Sequence, residues 1–111
     1  MDKVTRYRQI IQQVLEQQAR ELSRGNQVKI IPVCDPQHDQ YLLVSLGWSN
    51  NRREHAIVFH AQLHNGQVLI EDDRTEEGLS NELIAGGIQE SDIQLAWLNA
   101  YRPQEELPLV A

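Results

Sequence analysis

Glu71, Asp72, Asp73 and Glu76 place four carboxylates within six positions. Closely spaced carboxylate oxygens are what hard cations such as Mg²⁺ or Ca²⁺ take as ligands. The spacing is not that of a calcium loop, however, and its central glycine is absent. A structural use competes with the metal use. Thr75 reads as the N-cap of a helix, and Glu76 and Glu77 in its first turn would face the positive end of the helix dipole. Arg74 is the one basic residue in the stretch 70–79, which holds five carboxylates.

Other chemistry-bearing residues are sparse. His60 and His64 share a strand face but lie about 13 Å apart at strand rise, too far to hold one ion. His55 and His60 point to opposite faces, His38 sits in a turn, and Cys34 falls in an apolar strand where a thiol stays inert. No Gly-x-Ser-x-Gly elbow, phosphate loop or dinucleotide fingerprint occurs. A metal nuclease commonly carries an acid-x-Lys triplet; neither Lys3 nor Lys29 has an acid two positions before it. The expectation is a protein without catalytic residues, metal or cofactor.

Charge divides the chain. Residues 1–70 hold eight Lys/Arg and six Asp/Glu, whereas residues 71–111 hold two and ten, within a net charge of −6. The acidic part repels phosphate at long range and suits a basic protein partner. Contact with DNA would fall to Arg6, Arg8, Arg20 and Arg24 and to the pair Arg52 and Arg53. Some of that charge is ordinary helix surface, since Glu16 and Arg20 are i,i+4 neighbours. One cysteine allows no internal disulfide, no apolar run approaches a membrane span, and the first residues lack a signal-peptide layout. A cytoplasmic, single-domain protein spanning 1–111 is expected.

The elements that position these residues follow from periodicity. Val4, Tyr7, Ile10, Ile11, Val14, Leu15 and Leu22 recur at helical spacing, which predicts a helix from about Lys3 to Ser23, capped by Asp2 and stopped by Gly25. Four strands come next: Val28–Cys34, Gln40–Trp48, Arg53–Leu63 and Val68–Asp72. Pro32 marks the first as an edge or bulged strand. Asp35–Asp39 forms a turn, and hairpins close at Ser49–Arg52 and at His64–Gln67, where Asn65-Gly66 is the strongest turn signal in the chain. Ile57, Phe59, Ala61 and Leu63 share one face of the third strand, and Tyr7 and Trp48 read as core. A second helix starts at Thr75, buries Leu79, Leu83 and Ile84 and stops at Gly86-Gly87. A short strand, Ile93–Leu98, and an irregular tail, 103–111, complete an α+β chain: N-terminal helix, four-stranded antiparallel meander, second helix, short strand. Tyr41, Leu43 and Val58 would make a dimer surface if they line the open face of the sheet.

Several segments also carry a resemblance. They are Tyr7-Arg8-Gln9-Ile10-Ile11, Leu46-Gly47-Trp48, Val58-Phe59-His60, Asn65-Gly66-Gln67-Val68, Asp73-Arg74-Thr75-Glu76-Glu77-Gly78 and Val110-Ala111. In this order they resemble the XisI family, the excision controlling factors of the cyanobacterial fdxN element. The resemblance implies a two-layer fold and a part in site-specific DNA excision during heterocyst differentiation. It also implies work beside a recombinase, XisF, and a nuclease-like companion, XisH, and it brings no catalytic residues. The combined expectation is an accessory factor that meets an XisH-like protein through Asp72, Asp73, Arg74, Glu76 and Glu77. The competing readings are a DNA-binding directionality factor that uses the arginines, and an antitoxin-like restraint on the companion.

Overall fold

Asp2 begins the first helix. Its Oδ1 accepts the backbone N–H of Thr5 at 2.7 Å, satisfying one of the donors a helix start leaves open, and α1 then runs Lys3–Leu22. The computed structural model describes residues 2–23 and 27–98. The stop expected at Gly25 and the tail 103–111 lie outside them. The apolar stripe of α1 buries Tyr7, Ile10, Ile11, Leu15 and Ala19. Leu22, expected in that stripe, is 40% exposed at the end of the helix.

The strands are β1 (Val28–Asp35), β2 (Gln40–Ser49), β3 (Arg52–His64) and β4 (Gln67–Asp73), each antiparallel to the one before. A fifth strand, β5 (Ile93–Leu95), joins parallel to β4, so the sheet order is β1-β2-β3-β4-β5. The parallel pairing needs a crossover, which α2 (Ser80–Gly86) and a short 3₁₀ turn at Glu90–Asp92 supply. Pro32 sits on β1, an edge strand as its missing N–H requires. Both tight hairpins use two successive positive φ angles, Asn50 (51°) with Asn51 (66°) and Asn65 (52°) with Gly66 (75°).

α1 covers one face of the sheet. Beneath it Tyr41, Leu43, Phe59, Ala61, Val68 and Ile70 are fully buried. Tyr7, Tyr41 and Phe59 are the largest of these core side chains, and full burial of such a side chain stabilises the fold by roughly 1.5–3 kcal/mol. Two polar ties fix the helix to the sheet. Arg8 grips Asp39 with two bonds, at 2.8 and 3.0 Å, and the Ser23 hydroxyl meets both the N–H and the carbonyl of Ile30.

Three expectations are corrected by this packing. Tyr41 and Leu43 lie under α1, and Val58 packs against the same core, so they form no open dimer surface. Trp48 is 56% exposed rather than core. The outward parity of β2 is Leu42, Val44, Leu46 and Trp48, and α1 covers the other parity. Ile57 also leaves the face it was expected to share with Phe59. Leu43 pairs with Phe59 and Val44 with Ile57, so Val58 is an extra, bulged residue that turns Ile57 outward to 43% exposure.

Candidate functional site

The acidic segment is organised by two bulges and one carboxylate. In the β3–β4 pairing, His60 faces Asp72 and Ala61 faces Ile70, which leaves Glu71 as the extra residue. Glu71 then accepts a bond from Gln62 at 2.5 Å, the end of a chain that continues through Gln40 to His60. Asp73, paired with Phe59, turns toward the helix side. Its Oδ1 accepts the backbone N–H and the hydroxyl of Thr75, and its Oδ2 accepts the N–H of Leu79 at 2.8 Å. The N–H of Arg74 donates to the carbonyl of bulged Val58, which anchors the start of the loop. Gly78, at φ +77°, lets the chain turn back beside Asp73.

The helix start is therefore corrected. Thr75 is bound by Asp73 and caps nothing; α2 begins five residues later, after Leu79, with no side-chain cap. Glu76 and Glu77 stand exposed in a loop outside the first turn, and Glu82 is the acid within that turn. The loop binds its own carboxylate because Asp73 reaches N–H groups at both ends of the turn, a stronger local solution than a single hydroxyl cap.

Of the five residues expected to meet a partner, four stay outward. Asp72 pairs with the exposed Arg74 guanidinium at 3.2 Å. Glu76 and Glu77 line a shallow groove against the end of α1, with Gln18, Leu22, Leu79 and Glu82. Asp73 faces inward and holds the loop.

Among the described residues the arginines are not gathered into one patch. Arg8 is held by Asp39 and Arg6 lies over the Tyr7 ring. Arg20 is in the last turn of α1, about 21 Å along the helix from Arg6. Arg53 lies over the Trp48 ring on the opposite face of the sheet and donates to the carbonyl of Gly47, with Arg52 beside it at the hairpin. Arg24 is outside the described residues.

His38 contacts Asp35 at 2.7 Å, and His64 contacts Asn65. Among the described residues no three His, Cys, Asp or Glu side chains come together as a metal set. Cys34 is half-buried, and burial, with Glu16 nearby, pushes its thiol above the usual range, away from the reactive thiolate.

Two carboxylates tie acid stability to this architecture. The Arg8 guanidinium, with the Tyr41 hydroxyl, holds Asp39 below the ordinary carboxylate range. Lys3, with the Tyr7 hydroxyl, does the same for Asp92. Between the folded and unfolded pKa values the unfolded chain binds more protons, so stability is full above the unfolded value, about 4, and is lost as pH falls through the lower folded value. Urea titrations from neutral pH into that window are expected to show a steep drop for the native chain. Asp39→Asn and Asp92→Asn should start lower at neutral pH and fall less steeply.

Comparison with known proteins adds to this geometry. No curated protein sequence matches the chain. A crystal structure of a XisI-like protein from Anabaena variabilis has the same fold, with a TM-score of 0.77 at 20% identity, over 88% of this chain and 90% of that one. A second, described as fdxN element excision controlling factor XisI from the same organism, has a TM-score of 0.69 at 33% identity, over 87% of this chain and 94% of that one. A family comparison matches residues 1–106 to the family described as XisI protein. On that match, on the shared helix-and-sheet fold and on the 33% identity, the chain belongs to the XisI family.

Proposed function

We propose that this protein is a non-catalytic controlling factor for site-specific DNA excision of the fdxN-element type, acting by contact with a nuclease-like, XisH-like companion. Family membership supports the general role, since a relative at 33% identity is described as an excision controlling factor. The observation that carries the mode of action is the loop at 73–79. Asp73 locks its backbone, so Asp72, Arg74, Glu76 and Glu77 are presented on a fixed frame. Glu76, Glu77 and Glu82 rim the adjoining groove, and Leu22, 40% exposed, supplies apolar surface within it. Such a groove suits a basic segment with an apolar anchor, and its charge raises the encounter rate with a basic partner.

The arginines favour this reading over DNA contact. Among the described ones, Arg8 is held in an ion pair, Arg6 and Arg20 lie on α1, and Arg53 lies on the far face of the sheet. The test is binding of the companion by calorimetry at low salt. Glu76→Lys with Glu77→Lys is expected to weaken binding at least tenfold, and added salt should weaken the native complex. Unchanged affinity in the charge-reversed protein would overturn the proposal. Co-expression separates recruitment from restraint, because only restraint makes the companion toxic when this protein is missing.

A further inference from the structure

The sheet face opposite α1 is open over β1–β3, whereas on β4 Leu69, which shares this face with its partner Gln62, is only 6% exposed. The face carries four of the large apolar side chains that are exposed: Ile31 at 37%, Val33 at 45%, Ile57 at 43% and Trp48 at 56%. The pairing places Ile31, Val44 and Ile57 in one row across three strands. Charge on this face is divided along the strands. Lys29 and Arg53 lie toward the β2–β3 hairpin, and Glu71 and Asp72, the latter paired with Arg74, lie toward the other end. Neither bulge nor turn chemistry requires exposed β-branched residues here; alternation with buried neighbours would serve equally with polar side chains.

We propose that this face binds a second copy of the chain, making a two-fold dimer in which two sheets pack face to face with the helices outside. The charge pattern favours a copy over an unrelated protein. A two-fold axis lying between the sheets and running across the strands sets the basic end of one copy over the acidic end of the other, and centres the Ile31–Val44–Ile57 rows on each other. The size fits as well. Three strands over eight residues cover roughly 14 by 27 Å in projection, and the corrugated accessible area exceeds that, approaching the ~600 Å² per partner at the small end of specific interfaces. Sheets packed this way sit about 10 Å apart with interleaved side chains, which branched aliphatics do well. Trp48, held by the Arg53 guanidinium, is an aromatic anchor of the type that dominates interface energetics. Only Asp72 belongs to both this face and the companion-binding segment; the groove lined by Glu76, Glu77 and Glu82 lies beside α1, so Ile57→Asp tests the dimer and Glu76→Lys with Glu77→Lys tests companion binding separately.

The test is the molar mass of the full chain in solution, by light scattering and sedimentation at micromolar concentration. The native protein is expected to be a dimer. Ile57→Asp should give a monomer with an unchanged circular dichroism spectrum, and Lys29→Glu with Arg53→Glu should raise the dimer dissociation constant at least tenfold. Val33→Asp is the second variant should Ile57→Asp fail to fold. A native monomer overturns the proposal. So does a dimer that these substitutions leave intact, or one that forms only after removal of residues 99–111, which would make the chain's own tail the occupant of this face.

Discussion

Gly47→Ala is expected to unfold the protein, or to leave so little stability that it does not survive purification. Gly47 has φ +143°, and a β-carbon built there falls 1.8 Å from the carbonyl oxygen of Gln27 and 2.9 Å from the Cα of Val28. All of these neighbours are backbone, so no side-chain rotation relieves the overlap. The same Gln27 carbonyl accepts the N–H of Trp48 at 2.8 Å, which fixes the approach of the two strands at the start of β1. Backbone strain at such an angle costs about 1–3 kcal/mol by itself. Separating β1 from β2 adds the lost pairing, for a total of at least ~4 kcal/mol, in the range that marks a severe substitution. A domain of this size has roughly 5–15 kcal/mol in all. Gly66→Ala is the control. It too has positive φ, but its nearest neighbour is the flexible Lys3 ammonium at 3.6 Å, so about 1 kcal/mol is expected. Urea unfolding compares the two, and near-equal midpoints would refute the account of Gly47.

Asp73→Ala is expected to cost about 3 kcal/mol in urea unfolding, from loss of charge-assisted bonds and from two N–H groups left without an acceptor. It should also weaken companion binding although Asp73 faces inward, because the loop carrying Glu76 and Glu77 loses its frame. Asp73→Asn retains an acceptor oxygen and should lie between Asp73→Ala and the native chain in both assays. Normal companion affinity in a folded Asp73→Ala protein would show that the loop needs no such frame.

These two residues show how far the sequence was legible. The Gly-Trp pair and the Asp-x-Thr-Glu-x-Gly stretch stand out as a family pattern, and both do structural work. In each, a residue close by has a different task from the one its type suggests. Trp48 reads as core by its type, yet it stands on the outer face. Thr75 reads as a cap because hydroxyls before an apolar helix usually are. The rival acceptor, Asp73, lies only two residues earlier, and its reach to Leu79 depends on how the loop folds.

What the sequence by itself determined is local. Helical spacing and the Asp2 cap define α1, paired asparagines and Asn65-Gly66 define the hairpins, and Pro32 marks an edge. Such signals act within a few residues, so they survive without knowledge of the rest of the chain. The tertiary structure decided which face each strand buries. Both parities of β2 are apolar, Tyr41 and Leu43 on one side and Val44, Leu46 and Trp48 on the other, so hydrophobicity alone cannot choose between them. The choice is made where α1 docks, and at the bulged residues Val58 and Glu71, where one extra residue moves the rest of the strand to the opposite face. The acidic residues are divided in the same way: the β3–β4 bulge aims Asp73 inward as the loop's anchor and leaves Asp72 on the outer face.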